Sequence, residues 1–170
     1  GDSVVDIQKW ESVALFKATY NGSSNFIVES LDASGNTVDL LVNTIGIYSG
    51  SKLMDVYDSD QTTRLSIKAS GPWEIQILPV SEIRKADAPG VIQGVGDDVV
   101  MINAYGKTDL FKADASQASS NFIVYGLSNT DFYLLFNEIA PYTGTVVSEG
   151  DTFLLQISAT GPWSIEVTVK

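Results

Sequence analysis

Cysteine and histidine are both absent from this 170-residue chain. Disulfides, thiol chemistry, most zinc sites and every histidine-dependent catalytic triad are therefore excluded. Basic residues are also scarce: 10 Lys and Arg stand against 21 Asp and Glu, for a net charge of −11. Phosphate neutralisation needs clustered cations, so nucleic acid and anionic membrane surfaces are poor partners. The acidity itself serves solubility, with cation binding or a basic partner as the other reading. No stretch approaches the run of about 18 apolar residues that spans a bilayer, and no convincing apolar stripe at helical spacing runs anywhere. The chain opens on Gly1 without an initiator Met, which fits a mature or truncated form whose export signal has been removed. The lack of Cys suits the cytoplasm and many exported bacterial proteins alike.

What the chain does have is a repeat. "SSNFIV" at Ser23–Val28 returns at Ser119–Val124. Placing Gly1 opposite Gly96 aligns "GDSVVDI" with "GDDVVMI", then the "LFKA" of Leu15–Ala18 with that of Leu110–Ala113. After one extra residue in the second copy, "SSNFIVESL" at Ser23 meets "SSNFIVYGL" at Ser119, and "LLVNTIGIYSG" at Leu40 then meets "LLFNEIAPYTG" at Leu134. "LSIKASGPWEI" at Leu65 then meets "LQISATGPWSI" at Leu155. Blocks agreeing in order and spacing point to a tandem duplication. Two domains are expected, residues 1–80 and 96–170. The connecting stretch 81–95, with its mixed charges, Pro89 and glycines, reads as a linker, short enough to let the repeats touch.

Within each copy the apolar period is two. Trp73, Ile75 and Ile77 alternate with Glu74 and Gln76, and Trp163, Ile165, Val167 and Val169 alternate with polar neighbours, as in half-buried strands. Leu65, Ile67 and Ala69, and likewise Leu155, Ile157 and Ala159, form a preceding strand. The intervening Gly-Pro predicts a hairpin in each copy. In "NFIV", Phe and Val share one face and Asn and Ile the other, which is enough to make the motif a core strand. Further turn signals fall at "YNGSS", "DASGN", "YSGS" and "YDSDQ", giving six or seven short strands per copy. The fold class is all-β, two tandem β-sandwich, jelly-roll-like domains.

The blocks "GDxVV", "LFKA", "SSNFIV", "DLLVNTIGxYSG" and "GPWxI" resemble an uncharacterised β-sandwich repeat of exported and envelope proteins of Gram-positive and related bacteria. More loosely, the unit is similar to the small jelly-roll domains appended to secreted peptidases. The first resemblance covers nearly the whole chain and implies an extracellular or cell-surface setting, but it brings no activity and no ligand residues.

Among candidate site residues, Trp73 and Trp163 read as core because they alternate with polar neighbours and recur. Trp10 and Tyr105 align with each other in polar surroundings; an exposed ring there is a carbohydrate platform, and the competing reading is a lid on the sandwich edge. Tyr48 and Tyr142 carry the same ambiguity. Tyr20, Tyr57, Tyr125 and Tyr133 have no aromatic counterpart, so the shared fold does not require them. Asp55, Asp58 and Asp60 form an acidic loop with oxygen ligands suited to calcium, although the spacing is not that of an EF-hand and a solvated turn explains it better. Asn43 and Asn137, inside apolar strands, are expected to bond a neighbouring turn.

Catalysis without His leaves only a carboxylate pair, and no Asp or Glu sits in apolar sequence, so an enzyme is not expected. The reading is a noncatalytic, extracytoplasmic binding or adhesion module for a cell-surface glycan or protein. A structural spacer is the alternative, and a carboxylate-dependent glycan hydrolase a distant one.

Overall fold

Strand-forming residues at period two dominate both copies, and the regular elements of the described residues are sixteen β-strands and one short 3-10 turn. The computed structural model describes residues 1–57, 59, 61–129, 131–148 and 151–170. It separates into two units, Gly1–Glu82 and Ile83–Lys170.

The first unit contains β1 (Ser3–Asp6), β2 (Ala14–Tyr20), β3 (Asn25–Leu31), β4 (Thr37–Ile45), β5 (Tyr48–Met54), β6 (Arg64–Ala69) and β7 (Trp73–Leu78), followed by the 3-10 turn Val80–Glu82. They form a four-stranded sheet in the order β1-β6-β3-β4 and a three-stranded sheet in the order β5-β2-β7. The second unit contains β8 (Arg84–Ala88), β9 (Gly90–Val95), β10 (Asp98–Ala104), β11 (Thr108–Asp114), β12 (Ser119–Leu127), β13 (Phe132–Ala140), β14 (Thr143–Val147), β15 (Leu154–Thr160) and β16 (Pro162–Val169). Its sheets run β13-β12-β15-β10-β8 and β14-β11-β16-β9.

The units share strand order and pairing register. Val5 pairs with Leu65 as Val100 pairs with Leu155. Phe16 pairs with Ile77 as Phe111 pairs with Val167. A register shift follows Val28 in β3 and Val124 in β12, the same place in each copy. Such a bulge adds a residue and increases local twist, so even an irregularity of the ladder recurs.

The motif that opened the repeat behaves as its alternation requires. Phe26 and Val28, and Phe122 and Val124, are buried, while Ile27 and Ile123 turn outward. Around them Phe16, Tyr20, Leu65 and Ile67 fill the first core. Phe111, Leu155, Ile157 and Trp163 fill the second.

Four sequence expectations need correction. The Gly-Pro segments do not make hairpins, because β6 and β7 lie in different sheets, as do β15 and β16. Among the described residues, the only connection between successive strands that stays within one sheet is β3–β4 in the first unit and β12–β13 in the second. A continuous alternating pattern says which residues are buried, not whether the next strand stays in the same layer. The "YSGS" stretch is not a turn but the start of β5, since Tyr48 pairs with Tyr20 and Gly50 with Ala18. The reversal falls at Gly46, whose φ of 90° favours glycine.

The stretch read as a linker is mostly strand. β8 pairs parallel to β10, and β9 pairs antiparallel to β16, so both extend the sheets of the second unit. Short, small-residue strands broken by a proline carry the composition of a linker, which is why composition misled. Asn43 and Asn137 are solvent-facing on β4 and β13, opposite Ile27 and Ile123. Both sit on the outer face, where a polar residue needs no internal partner.

Candidate functional site

The connection from β1 to β2 carries Trp10, and the equivalent connection from β10 to β11 carries Tyr105. The two residues are 81% and 78% exposed, so neither is the lid on the sandwich edge that is the competing expectation. Hydrogen bonds tie each loop to its unit. In the first unit Lys9 donates to the carbonyl of Ser12 at 3.1 Å and to the carboxylate of Asp55. In the second, the Tyr105 N–H donates to the Ala88 carbonyl at 2.9 Å, and Lys107 and Lys170 exchange backbone hydrogen bonds. An apolar ring held in water on an anchored loop loses little conformational freedom on binding, which favours recognition.

Tyr48 and Tyr142 are not surface platforms. Tyr48 packs on the first core with its ring 5.9 Å from that of Phe26. Tyr142 lies 6.3 Å from Phe122 and 6.0 Å from Phe136. A Cβ at Gly144 would fall 1.9 Å from the Tyr142 hydroxyl, so the missing side chain makes room for this ring. Burial, and secondarily the charge of Glu138, pushes the Tyr142 phenol above its ordinary range. Of the recurring tryptophans, Trp163 is buried and Trp73 only half-buried.

Asp55 is spent inside the fold. Its backbone is left-handed, at a φ of 55°, and its carboxylate accepts from Thr62 N–H at 2.9 Å and Thr62 Oγ1 at 2.6 Å, besides pairing with Lys9. A carboxylate occupied by an ammonium and two hydrogen-bond donors is a structural anchor rather than a calcium ligand. Asp58 and Asp60 lie outside the described residues. Among the described residues, no group of three acidic side chains converges as a metal site would require. Asp32 and Asp114 are held below the usual carboxylate range. The main causes are hydrogen bonds from Asn36 for Asp32 and from Ser116 for Asp114, the opposite of the upward shift a general acid needs.

One feature escaped the sequence reading. On the outer face of the β12–β13 hairpin, Tyr125 and Phe132 stack with centroids 5.0 Å apart and planes 10° from parallel, with the exposed Leu134 paired opposite Tyr125. The aligned positions in the first unit are Glu29 and Val38. The signal was present in the missing counterpart of Tyr125, but its partner Phe132 became visible only through the hairpin pairing.

No family model matches the chain, and no curated protein matches it. A solved structure described as "The Triple Jelly Roll Fold and Turret Assembly in an Archaeal Virus" aligns over 99% of this chain at 14% identity with a TM-score of 0.30. The chain covers 52% of that one, about half its length.

Proposed function

We propose that this chain is a noncatalytic binding module acting outside the cytoplasm at a bacterial surface, with a glycan as its ligand. The observation that carries the reading is the pair of water-facing rings, Trp10 and Tyr105, at equivalent places in the two units. Each has polar neighbours along the chain, Gln8, Glu11 and Ser12 for Trp10 and Asn103 and Lys107 for Tyr105. A ring face flanked by hydrogen-bonding groups suits a sugar, which offers an apolar C–H face edged by hydroxyls. The surface placement rests on the resemblance to exported bacterial repeats.

The test is a binding screen of the chain against soluble glycans, insoluble cell-wall polymers and intact bacteria, repeated with Trp10→Ala and Tyr105→Ala. Saturable glycan binding weakened about tenfold by either substitution, roughly 1.4 kcal/mol, is the expected result. Binding to cells only through a protein, or binding indifferent to both substitutions, overturns the glycan site. Absence of binding across the panel favours a spacer.

A further inference from the structure

The two sandwiches differ at one edge. In the second unit β8 lies along β10 and β9 along β16, so the edges of both sheets are covered at the same end. In the first unit the equivalent edges, β1 and β7, have no such strands beside them among the described residues.

The consequence is legible residue by residue. Val100 and Ile102 on β10, and Trp163, Ile165 and Val167 on β16, are all buried in the second core. Their counterparts in the first unit are Val5, Ile7, Trp73, Ile75 and Ile77. These five are only partly buried, although they pack against the first core. The same apolar groove is therefore present in both units and filled in one.

The filled copy specifies the occupant. Ile92 pairs with Ile165 and is itself buried, and Ala88 is buried at the end of β8. Gly94 pairs with Trp163, and a Cβ on it would fall 2.5 Å from the indole, so the strand must be bare where it crosses the ring. Arg84 lies over the same indole at 5.9 Å from its centroid and pairs with Asp98 at 2.6 Å. Unpaired sheet edges accept extended chains through backbone hydrogen bonds, with pockets reading alternate side chains, and proteins ordinarily cover such edges.

We propose that the groove between β1 and β7 is a docking site for an extended polypeptide segment of the β8–β9 pattern, supplied from outside these 170 residues. The segment runs parallel to β1 and antiparallel to β7, sets an aliphatic side chain against Ile75 and places a glycine over Trp73. A second copy of the chain is a poor donor, because its own β8–β9 is engaged in closing its second unit. The end of the docked strand adjoins the loop of Trp10, as Ala88 accepts from the Tyr105 N–H in the second unit, but the edge strands and not the exposed rings carry the proposal.

The probe is a synthetic peptide of residues 84–95, RKADAPGVIQGV, titrated into the full chain while amide hydrogen exchange is followed. Saturable binding with at least tenfold slowed exchange in Ser3–Asp6 and Trp73–Leu78, weakened tenfold or more by Gly94→Val in the peptide, is the expected result. Because the variant is in the peptide, the folding of the chain is not at stake. No saturation at millimolar peptide, protection confined to β10 and β16, or equal binding of the Gly94→Val peptide each overturns the proposal. So does protection of β1 and β7 that arises without peptide, with concentration-dependent dimerisation, since the donor is then a second copy.

Discussion

The ammonium of Lys9 closes on the carboxylate of Asp55, 46 positions later in the chain, and ties the loop of Trp10 to the end of β5. The Asp55 side chain is 2% exposed and that of Lys9 15%. At the position equivalent to Thr62, the second unit meets the same need without charge. Thr152 N–H donates to Thr108 Oγ1 at 3.1 Å, and the Thr152 hydroxyl lies among those of Ser148 and Tyr133.

Asp55→Asn is expected to cost about 2 kcal/mol, because a partly buried ammonium loses its counter-ion and Thr62 loses a charged acceptor. Lys9→Met is expected to cost less, since Asp55 keeps both bonds from Thr62. The two substitutions together should cost less than their sum by at least about 1 kcal/mol. Hydrogen exchange of the first unit's core amides measures all three, and strict additivity would show that the pair contributes nothing.

The recurring tryptophans should behave differently. Trp163→Ala removes a buried ring and is expected to cost about 4 kcal/mol, while Trp73→Ala, at a half-buried position, is expected to cost about 2 kcal/mol. Because two units do not guarantee a single unfolding transition, each loss is read from exchange in its own unit, at β11 and β2. Equal losses would mean that the first unit's edge is already covered.

Acid should weaken the β3–β4 hairpin through Asp32. Its carboxylate accepts from Ser34 N–H and Asn36 N–H, both at 2.8 Å, and from the Asn36 side chain. The folded pKa therefore lies below the ordinary value of 3.8. A depressed pKa contributes stability that is present above the unfolded value and lost as pH falls through the folded one. Between pH 5 and pH 2 the denaturation midpoint should drop, and Asp32→Asn should flatten part of that drop. An unchanged profile in the variant would remove Asp32 from the account.

Gly161 carries β15 into the other sheet as β16 with a φ of 117°, and a Cβ there would meet the Ala118 backbone at 3.0 Å. Gly161→Ala combines a conformation that L-residues avoid with a backbone clash. It should destabilise the second unit by about 1–3 kcal/mol, read from exchange at β15 and β16. A neutral effect would mean that this crossing relaxes freely.

The sequence by itself determined the repeat and the buried faces of the strands that alternate at period two, because alternation is local and survives in each short stretch. It placed Phe26, Val28, Phe122 and Val124 in the cores and marked Trp10 and Tyr105 as rings without a place in the alternation. Tertiary structure decided what local pattern does not contain. It sent the Gly-Pro connections across the sandwich, turned the acidic Asp55 inward onto Lys9 and Thr62, and brought Tyr125 against Phe132. It also decided that residues with a linker's composition close one sandwich and leave the other with an open edge. Which strand lies beside which is set by long-range hydrogen bonding and by the shape of the apolar groove each sheet edge presents, and neither is written in any single window of the chain.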